Sequence, residues 1–95
     1  MSTQGIATID FGALPGTSNA SVTITGQAGI ASDALVDAWL IPEDGADHLA
    51  DDYVIDGPEI LAGNVVAGTG FTIYAKSRGD GFAYGQWKVG WVWNN

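Results

Sequence analysis

Between Tyr84 and Trp93 the chain alternates strictly, with Trp87, Val89, Trp91 and Trp93 on one side of an extended backbone and Tyr84, Gln86, Lys88 and Val92 on the other. Successive side chains of a strand point to opposite faces, so four bulky apolar groups in phase specify a strand with one face to bury. Phe71 to Lys76 repeats the pattern, setting Phe71, Ile73 and Ala75 against Thr72, Tyr74 and Lys76. Between them Arg78-Gly79-Asp80-Gly81 has turn chemistry, so the reading is a C-terminal hairpin.

The same period recurs upstream. Ile6 to Phe11 places Ala7, Ile9 and Phe11 on one side, and Ala20 to Thr25 sets Val22 and Ile24 against Ser21, Thr23 and Thr25. The turn formers Pro15-Gly16 and Ser18-Asn19 between them predict a strand pair with a long loop. Leu35 to Ile41 is an almost unbroken apolar run stopped by Pro42; a short helix is one reading, and the length, Trp39 and the Pro42 stop favour a strand buried on both faces. Glu43 to Asp52 reads as an exposed acidic loop with at most one helical turn. Tyr53 to Ile55 and Glu59 to Leu61 read as short or edge strand, kinked at Gly57-Pro58. No segment keeps a 3.6-residue period over a helix's usual length. The expected fold is therefore all-β, a small antiparallel β-sandwich or barrel of about six to eight strands in a single domain over residues 1–95.

A chain of 95 residues buries only roughly 60–65% of the surface that its unfolded form exposes. It has no cysteine, so neither disulfides nor thiolate-bound zinc supplements that core, and oligomerisation is the expected supplement. Charged residues make up 15% of the chain against about 25% in a typical domain, which leaves neutral or apolar surface of the kind that becomes an interface. The net charge of −8, with Lys76, Arg78 and Lys88 as the strong bases, speaks against nucleic acid and anionic membranes as partners. No signal-like segment or membrane-length apolar run is visible, so synthesis as a soluble cytoplasmic product is expected.

No pattern in the sequence carries enzymatic chemistry. The acidic stretch departs from the calcium-loop template, and His48, the sole histidine, is read as an exposed loop residue with no second imidazole to complete a metal site. Asp51 and Asp52 are adjacent and point apart on most backbones, and no serine sits in a nucleophile setting. Gly63 to Gly70 lacks the Gly-Lys-Ser/Thr ending of a phosphate loop, and small residues there suit close approach of strands. Arg78-Gly79-Asp80 matches an integrin-type tripeptide that a turn explains by itself. No metal, cofactor or catalytic residue is assigned. The aromatic side chains Phe71, Tyr74, Trp87, Trp91 and Trp93 are the candidate interface residues, with a core role or a sugar-stacking platform as the other readings of the tryptophan row.

Three stretches carry a resemblance in combination. They are Phe11-Gly12-Ala13-Leu14-Pro15-Gly16 leading to Val22-Thr23-Ile24-Thr25-Gly26-Gln27, then Ala46-Asp47-His48-Leu49-Ala50-Asp51-Asp52, and Ala62 to Ala75 closing on Tyr84-Gly85 and Trp91-Val92-Trp93-Asn94. Together they resemble a family of short proteins encoded by tailed bacteriophages. Family members often have a longer segment before the last strand, where this chain has Ser77 to Ala83. The resemblance implies a virion component, either a capsid decoration or cement protein or a small tail or fibre piece. Its implied partners are its own copies in a homo-oligomer and a major capsid or tail protein. A carbohydrate- or receptor-binding β-module is the alternative.

Overall fold

The alternating segments become strands in the order β1 (Ser2–Asp10), β2 (Asn19–Ile24), β3 (Leu35–Leu40), α1 (Ala50–Ile55), β4 (Glu59–Val66), β5 (Gly70–Lys76) and β6 (Gln86–Asn94). The structure, a computed structural model, describes residues 2–45, 47–55, 57–78 and 81–95. Two three-stranded antiparallel sheets form, ordered β1-β6-β3 and β2-β5-β4. The protein is all-β as expected, with six strands among the described residues.

Each sheet is centred on the strand with the bulkier inward row, because a strand flanked on both sides buries that row most completely. β6 pairs with β1 from Ser2↔Asn94 to Asp10↔Gln86 and with β3 from Leu35↔Asn94 to Leu40↔Val89. Its Trp87, Val89, Trp91 and Trp93 are all buried. β5 is the centre of the other sheet, and its Phe71, Ile73 and Ala75 join the same buried cluster. Phe71 and Trp91 meet edge to face with ring centroids 5.6 Å apart, a favoured aromatic geometry.

Neither the β1–β2 nor the β5–β6 hairpin forms. In both places the chain changes sheets, and β4–β5 is the hairpin instead. Strands with strong apolar rows bury them by facing each other across a core, whereas pairing side by side leaves the shared face uncovered. The two crossing loops are tied together by an isolated bridge, in which Thr17 and Ala83 exchange backbone hydrogen bonds of 3.0 and 2.9 Å.

Three further expectations are corrected. β3 is buried on one face: Val36, Ala38 and Leu40 turn inward, while Leu35, Asp37 and Trp39 are exposed on the edge of a sheet. Tyr53 to Ile55 is the end of α1 rather than strand. Its first turn is held by acids, since the Ala50 N–H donates to Asp44 Oδ1 at 2.9 Å and the Leu49 N–H to Asp52 Oδ2 at 3.0 Å. Carboxylates accepting the free amides of a helix start stabilise the turn. The irregularity of β4 lies between Gly63 and Val66, where Asn64 takes φ 53°, and not at Gly57-Pro58. Glu59 to Leu61 does open an edge strand, and Gly63 to Gly70 belongs to the β4–β5 hairpin.

Two buried indoles differ in one respect. Trp93 Nε1 donates to Gln27 Oε1 at 2.9 Å, whereas Trp91 Nε1 is buried with no acceptor among the described residues. A buried unpaired donor carries a desolvation cost that its removal relieves. Trp91→Ala should destabilise the protein by about 3–5 kcal/mol through loss of packing. Trp91→Phe should cost about 1–3 kcal/mol less than Trp93→Phe. Urea midpoints of the three variants check both; equal costs for the two Phe variants would contradict the second.

Candidate functional site

Four of the five aromatic candidates lie inside the protein. Phe71, Trp87, Trp91 and Trp93 are between 1% and 7% exposed, so they pack the core of their own chain and offer no ring face to a partner or a sugar. The physical reason is that the two inward rows are the largest apolar surfaces this chain has to bury. Tyr74 is the exception. It stands 41% exposed on the outer face of the β2-β5-β4 sheet, in an open depression of about 690 Å³ shared with Ser21, Leu61 and Lys76.

The acidic loop also differs from its expected form. His48 is 6% exposed, stacked on Trp87 with ring centroids 3.7 Å apart. Its Nε2 donates to the Tyr84 carbonyl at 2.7 Å, and its Nδ1 lies 3.7 Å from Asp52 Oδ2. Asp47 Oδ2 accepts the Gln86 N–H at 2.8 Å, and Glu43 Oε2 pairs with Lys88 Nζ at 2.7 Å. Tyr53, on α1, accepts the Lys88 N–H at 2.7 Å and sets its ring edge-on to Trp87. The loop is thus a lid in which Glu43, Asp44, Asp47 and Asp52 are engaged with backbone amides, a helix start and one lysine.

Ser77, His48 and Asp52 line one depression of about 360 Å³, a trio of residue types that invites a triad reading. The hydrogen bonds oppose it. A carbonyl can only accept, so Nε2 of His48 carries the proton and has no lone pair for a serine, and the Ser77 hydroxyl donates to the Gly81 carbonyl. Among the described residues no group of three histidine, aspartate or glutamate side chains converges on a metal position. Gly79 and Asp80 of the Arg78-Gly79-Asp80 turn, and Ala46 of the acidic stretch, lie outside the described residues.

The most apolar exposed surface on a sheet is the outer face of β1-β6-β3. The registers put Ile6, Gly90 and Trp39 in one row across three strands, with Gln4, Val92 and Asp37 in the next and Ser2, Asn94 and Leu35 beyond. Ile6 is 63% exposed, Leu35 76% and Trp39 44%. The Trp39 indole lies over Gly90, where a Cβ would stand 2.7 Å from its Nε1, so the glycine is what lets the ring lie on the sheet. Gln4, Gly5, Ile6, Trp39 and Ile41 line a shallow depression there of about 330 Å³. By contrast the outer face of the other sheet carries Ser21, Thr23, Glu59 and Lys76 around Leu61 and Tyr74.

Trp39 and Ile6 were therefore not visible as site residues from the unbroken apolar run and the alternation. One signal did exist. Asp37 is in phase with Leu35 and Trp39, and a carboxylate rarely faces a core unpaired, so its phase marks the outward row. Because four of the five loop acids are engaged with amides and Lys88 and no three ligand side chains converge among the described residues, EDTA should leave the melting temperature unchanged. A drop reversed by calcium in differential scanning calorimetry would contradict this.

No helix among the described residues is long and apolar enough to cross a membrane. No protein-family model, curated protein or solved structure matches the chain.

Proposed function

We propose that this chain is a structural, non-enzymatic protein of a bacteriophage particle, a capsid decoration or cement protein or a small tail or fibre component, acting through protein–protein contacts. The observation that carries the contact reading is the outer face of β1-β6-β3, where Ile6, Leu35 and Trp39 are exposed together on a regular sheet. Isolated exposed apolar residues are ordinary, but Ile6 and Trp39 share one row across Gly90, and an exposed tryptophan beside an aliphatic side chain has the composition of an interface hot spot. The phage assignment rests on the resemblance of the three sequence stretches. Its partners are copies of the chain and a major capsid or tail protein.

The carbohydrate alternative loses the platform first considered for it, since Trp87, Trp91 and Trp93 are buried. What favours it is the single exposed indole of Trp39 beside Gln4. The neighbours Ile6 and Ile41 offer a sugar no hydrogen bonds, which places the protein partner first.

Co-sedimentation with particles assembled from the major shell protein tests the proposal. Trp39→Ala should weaken that binding at least about thirtyfold, the loss of one hot-spot side chain, while Leu61→Ser on the other sheet leaves it unchanged. Equal binding by both variants, or binding of glycans lost with Trp39→Ala, would favour the alternative.

A further inference from the structure

We propose that β1 pairs edge to edge with β1 of a second copy of this chain, about a two-fold axis at Ile6, joining two β1-β6-β3 sheets into one. The inference deepens the self-association part of the proposed function and is independent of its phage part.

The edge itself is the first ground. β1 is nine residues long and pairs with β6 at every position, without a bulge. No backbone hydrogen bond joins it to another strand among the described residues, so its second side presents a row of free amides and carbonyls. Thr3, Gly5 and Ala7 face the core yet stay partly exposed, as they would beside an open flank. Edge strands are ordinarily protected by lysine, proline, bulges, inward charges or shortness. β1 has none of these, its one charge being Asp10 at the end. The other edges differ: β2 and β3 have six residues, β3 carries Asp37 mid-strand, and β4 is bulged.

The second ground is that β1 is complementary to itself. Antiparallel pairing over its full length about Ile6 sets Ser2 opposite Asp10, Thr3 opposite Ile9, Gln4 opposite Thr8 and Gly5 opposite Ala7 of the other copy. Every outward residue then faces an outward residue, as the pleat requires, and no like charges meet. The two Asp10 carboxylates fall at opposite ends, about 27 Å apart at the usual strand rise. That exceeds the Debye length of about 8 Å at physiological salt, so the Asp10 pair does not oppose the ladder, and Glu43, which shares a depression with Ile6, is paired with Lys88. Ile6 meets Ile6 at the axis, and the Ile6-Gly90-Trp39 rows of both copies become continuous. A nine-residue ladder supplies roughly eight to ten backbone hydrogen bonds, as many as a standard interface carries.

Charge exchange at the axis tests this directly. The wild-type chain should sediment as a dimer, with a melting temperature that rises with concentration. Ile6 is exposed, so Ile6→Lys and Ile6→Glu should both fold, as circular dichroism will check, and each should raise the dimer dissociation constant at least about thirtyfold. Mixed in equal amounts, the two should recover a mixed dimer, while Leu61→Lys changes nothing. Since the chain has no cysteine, Ile6→Cys should oxidise to a covalent dimer and Asp10→Cys should not. A wild-type monomer up to millimolar concentration, or Lys and Glu variants that do not recover a dimer on mixing, would overturn the strand pairing. Co-sedimentation of the same variants with particles separates the two readings: a monomer that still binds particles loses the pairing alone, and a dimer that does not bind them loses the particle alone.

Discussion

The row of Trp87, Val89, Trp91 and Trp93 on β6, packed against Phe71 and Ile73 of β5, is the contact on which the rest depends. It joins the central strands of two sheets that share no continuous ladder. Burying an aromatic side chain removes roughly 150–250 Å² of surface from water, so the tryptophans are the largest favourable contribution available to so small a core. The lid completes it. His48 covers one face of Trp87 and Tyr53 its edge, while the indole Nε1 donates to the Tyr84 carbonyl at 3.1 Å.

Two glycines let large rings lie against the β1-β6-β3 sheet from opposite sides. Inside, Trp91 extends over Gly5 on the neighbouring strand, where any Cβ would collide with the indole. Outside, Trp39 reaches from the edge strand over Gly90 at the centre. The inner ring belongs to stability. The outer one covers backbone while keeping nearly half its surface in water, which makes it available for contact. Core and surface are thus shaped by neighbouring positions of the same strand pairs.

Four of the chain's eleven acids are engaged at the lid. Asp44, Asp47 and Asp52 hold backbone amides at the lid and Glu43 holds Lys88, so these carboxylates serve the fold at one end of the molecule. The outer face of β1-β6-β3 carries Ile6, Leu35 and Trp39 together with Asp10, Asp37 and Lys88, and Ile6 shares a shallow depression with Glu43, Asp47 and Lys88.

The sequence by itself determined the strands of the last third, their inward rows and the all-β class, because alternation is a property of the local backbone and needs no partner to be read. It also placed Ala7, Ile9, Val22 and Ile24 on the correct side of β1 and β2. Tertiary structure alone decided which strands pair, since alternation marks a row to be buried without saying which strand carries the opposing row. It likewise decided that β3 is an edge, that His48 is buried against Trp87 and Tyr84, and that Trp39, not Trp87, Trp91 or Trp93, is the exposed tryptophan. Periodicity reports that a face exists. What lies against that face depends on residues distant in the chain, and so the site at Ile6 and Trp39 became visible only when β1 and β3 were set on either side of Gly90.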